Sequence, residues 1–194
     1  MHLRPGGLRL FRLFARRLEP DRSCVSPAGM NLRLMEEAEL GAHCDDAELD
    51  LTKAKVAAAH ARGDRCVGAV QDGRLVGYCW LAFSPLPHLD GVWAGFSPDA
   101  VWTYKSFVRP SHRGRGIAAA LYRSADRLCG ERGRSMSLLC VELRNQRSIR
   151  AARRAGYAPA GYAGYLHRGG MMAGAYSPAA KRTGVRFFLP APRV

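Results

Sequence analysis

The stretch from Val101 to Tyr157 constrains this chain most. It opens with VWTYKSFV (101–108), a run of β-branched and aromatic residues that reads as a strand. Arg109-Pro110 ends that strand, because proline has no N–H to give a ladder. Ser111-His112-Arg113-Gly114-Arg115-Gly116 then leads directly into IAAALYRSADRLCG, where Ile117, Leu121, Ala125 and Leu128 fall on one helical face. A strand, a turn with two glycines and a helix start make an anion site. The first helical N–H groups have no partners inside the helix, and the helix dipole adds partial positive charge there. Gly114 and Gly116 admit positive φ and close approach of a ligand, and Arg113 and Arg115 offer forked donors to phosphate. The turn reads as a pyrophosphate cradle; for the loop taken alone, a basic surface turn ahead of a helix is the alternative.

Two look-alike motifs do not fit. A Walker loop needs Gly-Lys-Ser/Thr after four spacers, and no lysine follows here; a dinucleotide fingerprint needs three glycines, and Gly-Arg-Gly-Ile-Ala-Ala has two. Beyond Gly130, SMSLLCVEL (135–143) reads as a buried strand. Asn145 to Tyr157 then reads as a short helix with Asn145 as N-cap and Gly156 as the glycine that ends it.

With these blocks in place the chain resembles the GCN5-related N-acetyltransferase (GNAT) superfamily over about residues 30–167. That family carries Arg/Gln-x-x-Gly-x-Gly/Ala at the acetyl-coenzyme A pyrophosphate, matched by Arg113, Gly116 and Ala118. It also tends to carry an Asn, a short helix and Gly-Phe or Gly-Tyr, matched by Asn145 and Gly156-Tyr157. The resemblance implies an α/β (α+β) fold, a mixed and mostly antiparallel central sheet with helices on both faces. It implies pantetheine lying between splayed fourth and fifth strands, against exposed backbone at Phe107 and Val108, with an N–H near Val108 polarising the thioester. The cofactor-binding set it suggests is Phe107, Val108, Arg113, Gly114, Arg115, Gly116, Ile117, Ala118, Asn145 and Ser148. The resemblance implies direct attack by the amine, with acetyl-CoA or another acyl-CoA as co-substrate and no metal.

The chain also departs from the family pattern. Where many relatives place the tyrosine that protonates the thiolate, this chain has Ala152; where some place a glutamate base, it has Cys140. The candidate catalytic residues are therefore Glu142, on the same strand face as Cys140, Tyr157, with Tyr122 beside it, as a substitute acid, and His167 as a base. Each has a plainer reading: Glu142 as a surface carboxylate paired with Arg144 or Arg147, Tyr157 and Tyr122 as packing, and Cys140 as inert filler. Tyr104 and Ser106 are expected to share a strand face, lining the site or the core.

At 194 residues the chain is long enough for one domain with a real core. Its net charge of +14 is concentrated: residues 109–154 hold twelve arginines against Asp126, Glu131 and Glu142. A basic surface suits a phosphorylated cofactor, an acidic acyl carrier protein or an anionic membrane; an arginine-rich composition overall is the alternative explanation. The six scattered cysteines suggest neither a disulfide framework nor a zinc site, and point to a reducing cytosol.

In chain order, residues 1–28 are expected to be a basic amphipathic extension and 29–194 the acyltransferase domain. LRLFRLFARRL (8–18) puts Leu10, Phe11, Phe14 and Leu18 on one helical face, able to lie on a membrane or to dock on its own domain. Pro20 and Ser26–Gly29 read as a linker. MNLRLM (30–35) reads as a strand and DDAELDLTKAKVAAAHARG (45–63) as one helix. Residues 64–83 read as a hairpin about Asp72-Gly73, 84–100 as a long loop, 158–168 as a strand, 168–184 as a loop, and VRFFL (185–189) as a last strand.

The expected function is transfer of an acetyl or other acyl group from coenzyme A to a small amine acceptor by a cytoplasmic protein, a homodimer being allowed. Alternatives are a long-chain acyltransferase using acyl-CoA or acyl carrier protein, membrane-associated through the N-terminal helix, and a non-catalytic GNAT-like acyl-CoA-binding module. Nucleic acid is the weakest partner, since the arginine-rich helices lack interleaved aromatics.

Overall fold

Asp72 and Gly73 turn the chain as expected: both have positive φ, 49° and 74°, the conformation of a tight hairpin turn. The strands they join belong to the main sheet of a computed structural model that describes residues 7–19, 26–168 and 170–190. In chain order the elements are β1 (Leu8–Arg17), β2 (Asn31–Met35), α1 (Glu37–Ala42), α2 (Lys53–Ala61), β3 (Arg65–Gln71) and β4 (Arg74–Ala82). There follow β5 (Leu86–Pro87), β6 (Trp93–Gly95), β7 (Ala100–Val108), α3 (Ile117–Ser124), α4 (Asp126–Glu131) and β8 (Met136–Glu142). The chain closes with α5 (Gln146–Arg154), β9 (Ala158–Arg168), β10 (Met171–Tyr176), α6 (Pro178–Lys181) and β11 (Arg186–Phe188).

Eight strands form one sheet in the order β10-β9-β1-β8-β7-β4-β3-β2, antiparallel except where β7 runs parallel to β8. A second sheet, β11-β6-β5, covers part of one face. Both faces of the large sheet are apolar, so three cores form. One packs α3, α4 and α5 against Phe14, Leu139 and Val141; another packs the small sheet against Leu13, Trp102 and Leu138; the third packs α1 and α2 against Tyr78 and Trp80. The expected mixed, mostly antiparallel sheet with helices on both faces is present.

The N-terminal segment corrects the expectation most. Residues 8–17 are not an amphipathic helix but a strand in the interior of the sheet, paired with β8 on one edge and β9 on the other. Phe11 and Leu13 enter one core and Phe14 and Leu18 another, so the residues that suggested one helical face divide between two sheet faces. Arg16 is buried with its guanidinium on both oxygens of Asp126 at 2.5 and 2.6 Å and on the Tyr122 carbonyl at 3.0 Å, which ties β1 to α3 and α4. The linker expected at Pro20 lies outside the described residues.

Other differences are local. The single helix expected over 45–63 is interrupted at Asp50, where φ is 49°, and α2 starts afresh with the Thr52 hydroxyl accepting from the Lys55 N–H at 3.2 Å. The 84–100 and 168–184 loops contain β5, β6, β10 and α6, and the last strand joins the small sheet rather than the large one. Among the described residues, no helix is long and apolar enough to cross a membrane.

Candidate active site

β7 and β8 pair only from Ala100–Met136 to Thr103–Leu139 and then diverge. The cause is in β7. Lys105 has φ 42°, and two residues, Lys105 and Ser106, stand opposite Cys79 alone where the register against β4 shifts. Such a bulge bends its strand and raises its twist. It also sends Tyr104 and Ser106 to opposite faces, correcting the expectation that they share one. The Tyr104 hydroxyl donates to Asp64 at 2.6 Å on the α2 side, while Ser106 meets Tyr122 of α3 at 2.7 Å.

The gap between the strands is a cleft of about 810 Å³. Its floor is Ser106, Phe107 and Val108 of β7; one wall is α3 from Gly116 to Tyr122, and the other is α5 with Asn145 ahead of it. At the mouth, Gly114 and Gly116 have φ of 83° and 78°, and the space in front of each is open to at least 4 Å. Gly116 caps α3 with no side chain, so no side-chain oxygen competes for the first-turn N–H groups. Arg113 is fastened beside them, its Nε donating to the Val108 carbonyl at 3.1 Å. Asn145 caps α5 by accepting from the Ser148 N–H at 3.1 Å. Arg147, Arg150 and Arg154 line the α5 wall, so the cleft is cationic along one side.

One backbone group in the cleft follows from strand alternation. The Arg109 N–H bonds the Val76 carbonyl at 2.9 Å, toward β4. Successive residues of a strand present their N–H and C=O to opposite edges, so Val108 presents its pair to the cleft. The Arg113 contact on the Val108 carbonyl agrees with that.

Nine of the ten expected cofactor residues line this cleft: Phe107, Val108, Arg113, Gly114, Gly116, Ile117, Ala118, Asn145 and Ser148. Arg115 instead points away, with its guanidinium 3.4 Å from Gln71 Oε1. None of the expected catalytic side chains lines the cleft. Glu142 is exposed at the end of β8, 3.7 Å from Arg9. Tyr157 is buried in the core with its hydroxyl 2.5 Å from Ser137 and the Arg16 guanidinium over its ring. His167 lies on β9, paired with Met172 of β10, on the far side of β1 from the cleft. Burial pushes the Cys140 thiol well above its ordinary range, which suits filler rather than a nucleophile.

Sequence reasoning missed the α5 arginines, although their spacing at 147, 150 and 154 is the signal of one helical face. Tyr122 it weighed and set aside as packing. Ala152 is fully buried among Ile149, Tyr122 and Tyr157.

A family model for the acetyltransferase (GNAT) family matches residues 31–157. Among solved structures, a GCN5-related N-acetyltransferase from Sphaerobacter thermophilus superposes with a TM-score of 0.56 at 23% identity, over 87% of this chain and 54% of that one. Another from Kribbella flavida gives a TM-score of 0.56 at 18% identity, over 86% of this chain and 61% of that one. This chain thus spans less than two thirds of either protein, and at these identities the likeness is one of fold. A search of curated proteins finds no match.

Proposed function

Since the chain belongs to the acetyltransferase (GNAT) family, we propose that it moves an acetyl or other acyl group from coenzyme A to the amine of a small-molecule acceptor by direct attack. The observation that carries this reading is the cleft between β7 and β8, with a side-chain-free helix start at one end and unpaired strand backbone along its floor. A diphosphate fits the mouth, where the α3 N–H groups, Arg113 and the α5 arginines converge. An extended amide-bearing chain fits the floor, pairing with β7 as a further strand would.

In this reading Val108 supplies the N–H that stabilises the oxyanion when the amine adds to the thioester carbonyl. A fixed backbone donor aimed at developing charge costs no reorganisation when the reaction occurs. The bulge at Lys105 keeps β8 from occupying that donor.

The test is thermal unfolding with coenzyme A, acetyl-CoA and longer acyl-CoAs. A ligand at a hundred times its dissociation constant adds about 2.7 kcal/mol of stability, and wild type is expected to show that rise with acetyl-CoA. Gly116→Asp, which places a carboxylate at the cradle, is expected to lose it while remaining folded. Absence of any shift in wild type would reject the acyl-CoA reading.

A further inference from the structure

Tyr122 of α3 lines the cleft, and its ring packs edge-on against Tyr157 with centroids 6.0 Å apart. The ring is buried, 2% exposed, and its hydroxyl is 2.7 Å from Ser106 Oγ. Ser106 is exposed to solvent in the open cleft and follows Lys105, the bulged residue with φ 42°. The two hydroxyls therefore join bulk water to the buried wall of the cleft at the place where β7 departs from β8. A chain anchored by phosphate at Gly114–Gly116 and laid along Val108 and Phe107 brings its far end to this pair.

We propose that the Tyr122 and Ser106 hydroxyls form the donor site for the thioester sulfur and relay the proton that the leaving thiolate takes up. The inference rests on the acyl-CoA reading above and assigns a role that Ala152 cannot fill. The step balances as follows. The amine nitrogen forms the C–N bond and the carbonyl pair moves to oxygen; on collapse, the C–S bonding pair leaves with sulfur. Sulfur takes the Tyr122 proton, Tyr122 takes the Ser106 proton, and Ser106 takes one from water, while the nitrogen releases its surplus proton to solvent. Burial holds the Tyr122 phenol above its ordinary range, so it stays a donor, and the concerted relay avoids a standing tyrosinate.

The site can be tested without knowing the acceptor. A hydroxyl that donates to sulfur stabilises the thiolate, so coenzyme A bound to wild type should titrate at lower pH than coenzyme A bound to Tyr122→Phe. The thiol is followed by its ultraviolet thiolate absorbance, with the ligand-free protein as baseline. The expected difference is about one pH unit, tenfold in the thiolate equilibrium, with a smaller difference for Ser106→Ala. Coenzyme A affinity is measured alongside at pH 6, where the thiol is neutral, so that each titration is made on saturated protein. With hydroxylamine as a small nucleophile and acetyl-CoA as donor, kcat should fall in Tyr122→Phe while KM for acetyl-CoA holds. Tyr122→Phe keeps the ring in the core, and Ser106→Ala removes the hydroxyl that meets Tyr122 at 2.7 Å while leaving every buried residue in place. Equal thiol titration in proteins saturated with coenzyme A would overturn the relay and leave the acyl-CoA reading standing. Failure of wild type to bind coenzyme A at all would overturn both.

Discussion

The imidazole of His88 is wedged among Phe11, Trp102, Tyr165 and Phe187, with ring centroids 5.0 to 6.4 Å away. Burial lowers its pKa from 6.5 to about 4, with Asp90 opposing and Arg9 reinforcing that shift. Between those values the unfolded chain holds a proton that the folded protein does not. Stability is therefore complete above about pH 6.5 and falls as pH drops toward 4, by at most about 3 kcal/mol. Urea unfolding at a series of pH values should show this slope, and His88→Leu should flatten it. The same contrast between backbone and side chain decides what could be read at the cleft. The conformations of Gly114, Gly116 and Asn145 were legible because turn, helix start and cap are local consequences of residue type. Glu142, Tyr157 and His167 were not, because a catalytic role depends on which strand face and which neighbours a side chain meets. Tyr157 turns inward to Ser137, and His167 is separated from the cleft by β1.

For whole elements, β1 carries the sharpest consequence. Its Phe11, Leu13 and Phe14 are at most 2% exposed, and its backbone pairs on both edges. Removing residues 1–18 should abolish cooperative folding, seen as loss of the thermal transition and of dispersed amide signals. A truncated protein that unfolds like wild type would show that β8 and β9 close without β1. The hairpin at Asp72-Gly73 and the strand–turn–helix of β7 and α3 were legible because each is signalled within a few residues. β1 was not, because a strand buried on both faces loses its alternation, and Leu10, Phe11, Phe14 and Leu18 then fit a helical period by chance. The break in the 45–63 helix was hidden in the same way. Asp50 and Thr52 sit among good helix formers, and Asp50 takes up Lys55 and Lys105 at 2.8 and 2.7 Å only once the sheet brings Lys105 near.

Over the whole molecule, part of the excess of arginine gathers at the cleft. Arg147, Arg150 and Arg154 face the same cleft as Arg113, and among the described residues none of the four takes part in an ion pair within 4.0 Å. A converging field of one sign raises the local concentration of an oppositely charged ligand. Its reach shrinks with the Debye length, from about 30 Å at 0.01 M salt to about 8 Å at 0.15 M. Coenzyme A binding measured calorimetrically should weaken steeply over that range, and Arg150→Ala with Arg154→Ala should flatten the dependence. A salt-independent affinity would show that these arginines do not serve the ligand.

The position of β1 also sets a clock on biosynthesis. Arg12 and its partner Tyr162 stand 150 residues apart in the chain, and at about 5–20 residues per second that interval lasts roughly ten to thirty seconds. During that interval an apolar strand with two unpaired edges waits while the strands that will flank it have yet to be made. The sheet cannot close around β1 before residues 136–166 are made, and until then LRLFRLFARR is the segment a nascent-chain chaperone would be expected to hold.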